Sequence, residues 1–209
     1  RILQDAFAMN CCMEHRGGVG YETNTGDGAG IMTGMPHDFL KATAKDLFGR
    51  ELPGPGEYGV GNIFLPTDSA QRAQCKAIIE QTIEDTGQTL IGWRELPTNA
   101  DLADVGKAAR AAMPAFEQLF VGKGAIGGME NESFERKLYA IRKHSAHLVR
   151  ADESIEQSHL FYMCSLSTNV IIYKGMLTPD QLFPFFCDLT NPAFESHMAM
   201  VHSRFSTNT

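Results

Sequence analysis

Residues 159–174 read HLFYMCSLSTNVIIYK, and this stretch decides the fold class. Two runs rich in β-branched and aromatic residues, 159–166 and 169–174, flank Ser167 and Thr168, a pattern that predicts a β-hairpin. Elsewhere helical and strand patterns alternate irregularly. Helices are predicted over 2–14, 37–48, 69–86, from Ser133 onward and after Thr178, and strands over 30–35, 58–65, 89–94, 114–121 and 194–206. Residues 67–69 offer N-caps for the third helix and Gly87 ends it, whereas Ser133 caps the fourth. A mixed order with one hairpin favours an α+β fold over repeating βαβ units.

Composition bounds the function classes. The 209 residues are 43% hydrophobic, enough for a buried core, and their number fits one large domain, residues 1–209. Lys and Arg number 18 against 25 Asp and Glu, and no basic patch stands out, so we expect no nucleic-acid partner. No apolar run reaches the ~20 residues of a membrane helix, so we expect no membrane partner. The five cysteines are an odd number, which favours reduced thiols.

The ends of the sequence suggest a piece of a longer polypeptide. The chain starts at Arg1 without an initiator methionine. It stops at Thr209 without a turn or a capping residue. We therefore expect further sequence on both sides.

A glycine-dense segment, Thr25 to Gly30, invites a nucleotide-binding interpretation. The glycines run G-x-G-x-G, and the segment follows a predicted helix and precedes a predicted strand. A dinucleotide loop needs the opposite order, because the pyrophosphate must meet a helix N-terminus. A structural turn that brings the backbone close to another segment is the alternative.

Histidines and cysteines give no convincing site. His197 and His202 are five residues apart on a predicted strand, which puts them on opposite faces. His144 and His147 share a helix face, but no cysteine or carboxylate completes a ligand set, so we predict no metal site. The cysteines lie in apolar company and are interpreted as inert buried thiols rather than nucleophiles.

The most informative polar stretch is SRFSTN, residues 203–208. An arginine at the end of a predicted buried strand, Arg204, needs a partner, because arginine is rarely buried unpaired. Its planar fork suits bidentate binding of a ligand carboxylate. An internal bridge to an Asp or Glu of the chain is the equal alternative.

Several segments together resemble a known family. They are MEHRGG (13–18), TNTGDGAG (23–30), LIGWR (90–94), FYMCSLS (161–167) and VHSRFSTNT (201–209). In combination they resemble the class II glutamine amidotransferase domain of the glutamate synthase family. The long separation of Arg16 from Arg204 resembles that family rather than the purine or hexosamine amidotransferases.

The resemblance implies a fold and a reaction. The implied fold is a four-layer αββα sandwich of the N-terminal-nucleophile hydrolase type, incomplete at both ends. In the family an N-terminal cysteine, with its own α-amine as base, attacks the glutamine side-chain amide, and an Asn-Gly pair stabilises the oxyanion. These groups are expected upstream of Arg1 and downstream of Thr209. No catalytic residue is therefore expected within this chain, which alone should be inactive.

The resemblance also assigns binding residues. Arg204 matches the arginine that grips the α-carboxylate of L-glutamine, and Thr207 matches the hydroxyl beside it. Phe205 and Asn208 are the implied pocket neighbours. Arg16 matches the arginine that supports the nucleophile loop, with a purely structural charge at a helix end as the alternative.

The whole enzyme implied by the resemblance uses the released ammonia to convert 2-oxoglutarate to glutamate. It carries FMN and an iron–sulfur cluster, none of it in this segment, and draws electrons from ferredoxin, NADH or NADPH. The other implied partners are the remaining domains of the same polypeptide, in the cytoplasm or a plastid. Two alternatives stay open: an inactive relative that binds an amino acid or a partner chain, and an amidotransferase domain for another acceptor.

Overall fold

A computed structural model describes residues 1–19, 21–124 and 131–204, with the side chains of all but residues 16, 131 and 132. The α-helices in these ranges are α1 (Ile2–Cys12), α2 (His37–Phe48), α3 (Ser69–Asp85), α4 (Lys107–Ala111), α5 (Asn131–Ala151) and α6 (Leu182–Phe185). The strands are β1 (Ala29–Gly34), β2 (Tyr58–Leu65), β3 (Thr89–Glu95), β4 (Ala115–Gly122), β5 (Tyr162–Met163), β6 (Val170–Gly175) and β7 (Ala199–His202). None of the described helices has both the length and the apolar character needed to cross a bilayer.

The strands form two sheets, in the orders β6-β1-β7 and β3-β4-β2-β5. The chain divides into two compact units. The first unit contains residues 1–39, 97–113 and the described residues from 172 onward, and the second contains the described residues of 40–96 and 114–171. Helices mixed with antiparallel strand pairs confirm the α+β prediction.

The second unit is built on the pairing of β2 with β4, antiparallel from Tyr58 opposite Gly122 to Leu65 opposite Ala115. A fully buried core covers this sheet, including Ile63, Leu65, Ile79, Ile83, Leu119, Val121, Phe134, Leu138 and Ile141. The capping residues of α3 behave as the sequence predicts. Asp68 accepts a hydrogen bond from the backbone N–H of Gln71 at 2.9 Å, and Gly87, with φ +75°, follows the helix end.

A polar ladder crosses the same sheet. Asn62 and Gln118 are directly opposite each other on β2 and β4 and are 2% and 0% exposed. Gln118 Nε2 donates to Asn62 Oδ1 at 2.9 Å, and Arg94 of β3 donates from Nη1 to Gln118 Oε1 at 3.1 Å. The buried amides are thereby hydrogen-bonded, as buried polar groups must be.

The predicted hairpin over 159–174 is wrong. β5 pairs with β2, and the pairing continues to Ser167, which exchanges backbone hydrogen bonds with Val60. β6 instead belongs to the sheet of β1. The carboxylate of Glu135 on α5 explains why the chain leaves β2 after Ser167. It accepts hydrogen bonds from the hydroxyl of Ser167 and from the hydroxyl and the N–H of Thr168. The turn residues therefore end one pairing rather than fold the two runs together.

In the first unit β1 lies between β6 and β7. β1 and β7 are antiparallel, with Gly30 opposite His202 and Thr33 opposite Ala199. α1 packs on β7. The prediction of a long buried strand over 194–206 is wrong in part: within the described residues only 199–202 form a strand, and Met200 is 62% exposed. In the described sheet β7 is an outer strand, which leaves part of its surface open.

Candidate functional site

Three segments that carry the family resemblance meet in the first unit. The hydroxyl of Ser203 donates to the carbonyl of Met13 at 3.2 Å, and a Cβ at Gly17 would lie 3.0 Å from the carbonyl oxygen of Ser203. The N–H of Asp27 donates to the carbonyl of Gly18 at 2.8 Å. Residues 13–18 are therefore the common support for the glycine loop and for the end of β7.

The glycine loop is a structural turn. Val19 and Gly26 form an isolated antiparallel bridge, and Gly28 adopts φ +134°. A Cβ at Gly26 would lie 2.2 Å from the carbonyl oxygen of Leu177, so only glycine lets the two backbones approach. The loop precedes β1 rather than a helix, which leaves the structural alternative standing.

A buried glutamine, Gln181, holds the glycine loop through hydrogen bonds. The sequence did not indicate this role. The side chain of Gln181 is 4% exposed, and its Nε2 donates to the carbonyls of Asn24 at 2.9 Å and Asp104 at 3.0 Å. Glu22 accepts from the N–H of Ala108 and the hydroxyl of Thr25, and these hydrogen bonds lower the pKa of Glu22. No sequence signal could have found Gln181, because its acceptors are backbone carbonyls far away in the chain.

Arg204 follows β7 and is exposed. Its side chain is 58% exposed, and its Nε lies 3.7 Å from Oδ2 of Asp27, which is itself 48% exposed. The expectation that Arg204 ends a buried strand is therefore wrong, because β7 is only half-buried at this point. The internal bridge to an acid, one of the two alternatives for Arg204, is therefore present as a long ion pair with Asp27. Binding of a ligand carboxylate by Arg204 stays a prediction.

The structure does not describe the side chains of the remaining predicted site residues. Phe205, Thr207 and Asn208 lie outside the described residues. The backbone of Arg16 belongs to a short 3-10 helix, Glu14–Arg16. The side chain of Arg16 is not among the described side chains. One cavity of the first unit, about 440 Å³, is lined by residues that include Phe7, Phe183 and Phe194, and Arg204 does not line it.

The prediction of buried thiols is confirmed for Cys75 and Cys164 and is wrong for Cys11 and Cys187, which are only partly buried. All five cysteines are free. Burial raises the pKa of Cys75 to about 11. Burial and the nearby carboxylate of Asp180 raise the pKa of Cys11. Cys12, however, is exposed at the end of α1 rather than surrounded by apolar side chains.

The histidines lie differently from the prediction. A Cβ at Gly30 would meet the ring of His202, and a Cβ at Gly34 would meet the ring of His197. The Cβ positions of Gly30 and Gly34 lie on the same face of β1, because the two residues are four apart on the strand. The rings of His197 and His202 therefore lie on one face, and the prediction that they lie on opposite faces is wrong. His197 precedes β7, where strand alternation does not apply. Among the described residues, no group of three or more histidines, cysteines or acids is arranged to hold a metal ion.

Comparison with known proteins gives the family. The model of the class II glutamine amidotransferases matches residues 1–209. The chain belongs to this family. Its convergent segments 13–18, 23–30 and 201–204 are thus amidotransferase segments brought together by the fold.

Three relatives are similar over the whole chain, each at 39% identity. They are a glutamate synthase [NADH] of Schizosaccharomyces pombe, the large chain of a glutamate synthase [NADPH] of Bacillus subtilis and a ferredoxin-dependent glutamate synthase of Arabidopsis thaliana. This amidotransferase chain spans only 10%, 13% and 12% of their respective lengths.

Proposed function

We propose that this chain is part of the glutaminase domain of a glutamate synthase. In that role the domain hydrolyses L-glutamine to glutamate and ammonia, and the whole enzyme uses the ammonia for the reductive amination of 2-oxoglutarate. The observation that supports this most directly is the meeting of residues 13–18, the glycine loop and Ser203-Arg204 around shared backbone contacts. Family membership supports the chemistry proposed for that cluster.

Residues 1–209 would form a partial amidotransferase domain within the four-layer αββα sandwich of the N-terminal-nucleophile hydrolases. Arg204 would bind the α-carboxylate of glutamine through charge-assisted hydrogen bonds, with Phe205, Thr207 and Asn208 around the ligand. Arg16 would support the loop that carries the nucleophile. The cysteine nucleophile, its α-amine and the oxyanion-stabilising Asn-Gly pair would be supplied from outside these 209 residues.

The other parts of the reaction would reside in the remaining domains of the same polypeptide. FMN and an iron–sulfur cluster would transfer the electrons there, supplied by ferredoxin or NAD(P)H. The relatives carry NADH, NADPH or ferredoxin in their names, which supports a reductive partner of this kind. The cytoplasm or a plastid would be the compartment.

The test is an assay of the chain extended at both ends to its full polypeptide. Glutamate release from L-glutamine is expected, and its absence would overturn the proposal. Arg204→Ala should weaken glutamine use by ~10- to 150-fold, the equivalent of about 1.5–3 kcal/mol of charge-assisted hydrogen bonding. Arg150→Ala, which removes an exposed arginine of α5, is the matched control and should leave glutamine use unchanged. An unchanged apparent affinity of Arg204→Ala would make Arg204 a structural residue.

A further inference from the structure

We propose that Asp27 is a positioning residue for Arg204. Its carboxylate holds the Nε side of the guanidinium, so that the two terminal nitrogens are presented to the carboxylate of the ligand. This inference rests on the proposed function, because it assumes that Arg204 receives the α-carboxylate of glutamine.

The position of Asp27 is fixed by Gly18. The N–H of Asp27 donates to the carbonyl of Gly18 at 2.8 Å. The Asp27 carboxylate also occupies the space where a side chain at position 18 would begin: a Cβ on Gly18 would lie 2.4 Å from Oδ2 and 2.9 Å from Cγ of Asp27. Real Cβ atoms do not approach this closely, so glycine at position 18 is what admits the carboxylate.

The same segment holds the backbone next to Arg204. The hydroxyl of Ser203 donates to Met13, and the Ser203 carbonyl lies against Gly17. Residues 13–18 therefore support both Asp27, through Gly18, and Ser203, through Met13 and Gly17. The ion pair joins two side chains whose backbones have a common support.

The geometry of the ion pair suits a positioning role. The closest approach is from Nε of Arg204 to Oδ2 of Asp27, at 3.7 Å. The guanidinium binds a carboxylate best through two parallel N–H groups, and its Nη1–Nη2 edge provides such a pair when Nε faces another acid. With side chains 58% and 48% exposed, the bridge contributes little to folding stability. The ion pair with Asp27 can instead determine the orientation of the Arg204 guanidinium.

Two variants of the full polypeptide test the inference from different sides. Asp27→Asn removes the charge at nearly constant shape, whereas Gly18→Ala keeps the charge and displaces the carboxylate. Each should raise the KM for glutamine by about 2- to 5-fold with kcat nearly unchanged, the range expected for an exposed ion pair. In an Arg204→Ala background Asp27→Asn should change KM no further, because the group it orients is gone.

The control is Asp5→Asn. Asp5 forms a more exposed ion pair with Arg1, Nε to Oδ2 at 3.5 Å, in the same unit. Its loss should leave KM unchanged. If Gly18→Ala unfolds, Asp27→Asn alone decides the question.

The outcomes separate this inference from the proposed function. If Arg204→Ala leaves KM unchanged, the proposed contact with glutamine fails, and the inference fails with it. If Arg204→Ala raises KM but Asp27→Asn leaves it unchanged, only the positioning role of Asp27 is overturned. A lower KM in Asp27→Asn also overturns that role, because Asp27 would then compete with the ligand for Arg204.

Discussion

The imidazole of His202 lies over the backbone of Gly30, its partner in the β1–β7 register. A Cβ at Gly30 would be 2.2 Å from Cε1 of His202 and 2.8 Å from Cβ of Lys174 on the other neighbouring strand. Gly30 therefore admits side chains from both neighbouring strands. Because Arg204 follows two residues after His202, this contact also fixes the strand end from which Arg204 projects.

Gly30→Ala should destabilise the chain by about 1–3 kcal/mol, the usual cost of forcing extra atoms into a packed site. Urea unfolding measures the change. Gly175→Ala on β6 is the matched control, since among the described residues a Cβ there meets only Leu177, at an ordinary 3.4 Å. That variant should stay within about 0.5 kcal/mol of the parent, and equal losses in the two would show that the ring of His202 does not need the space.

Stability should fall as the pH drops below the ordinary pKa of histidine. Burial, followed by the charge of Lys174, lowers the pKa of His202 in the folded chain. Between that lowered pKa and about 6.5, the unfolded state binds more protons than the folded state. The contribution of His202 to the free energy of unfolding therefore rises with pH across this window. The same contribution is lost as the pH falls through the window.

His202→Gln should flatten that part of the stability profile, measured by urea unfolding between about pH 5 and 7. Lys174→Gln removes only the second cause of the shift and should flatten it less. A slope equal to the parent's in His202→Gln would assign the pH dependence to other groups.

Asn62→Ala should cost about 1–3 kcal/mol, because it leaves the buried Nε2 donor of Gln118 without this acceptor. Equilibrium unfolding in urea gives the value. The double variant Asn62→Leu/Gln118→Leu should cost less than the sum of the two single leucine variants, because it removes both partners together. Additive costs would mean that the two amides do not depend on each other.

Glu135→Gln should loosen the turn at Ser167 and Thr168. An amide has one acceptor oxygen where the carboxylate has two, and the carboxylate accepts from Ser167 Oγ, Thr168 N and Thr168 Oγ1. A loss of about 1–3 kcal/mol is expected, together with faster hydrogen exchange of the Thr168 amide. Glu153→Gln, at an exposed acid beyond α5, should change neither quantity.

Local signals in the sequence predicted local structure well. The bounds of α2 and β2 agree with those expected, and the capping residues Asp68 and Gly87 delimit α3 as predicted. α5 begins at Asn131, two residues before the expected cap Ser133, within the usual uncertainty of helix ends. Propensity, hydrophobic period and capping chemistry are all contained within a few neighbouring residues, which is why they can be read from one sequence.

The errors concern partners that are distant in the chain. The hairpin failed because Glu135 and β2 compete for the residues that a turn would have used. The cluster of site segments was indicated only by the family resemblance. No residue near Arg204 in the sequence indicates that Asp27 is its partner, and no residue near Gly30 indicates the contact with the ring of His202. Pairing across more than a hundred residues leaves no local pattern.

That same separation has a consequence for biosynthesis. β1 is completed at Gly34, but its two neighbours in the sheet begin only at Val170 and Ala199. At about 5–20 residues per second, a nascent chain waits on the order of ten seconds before either neighbour leaves the ribosome. Throughout that delay Ala29 and Ile31, wholly buried in the finished fold, lack both of these neighbouring strands. Among the described strands of this sheet, β1 therefore stays longest without its partners.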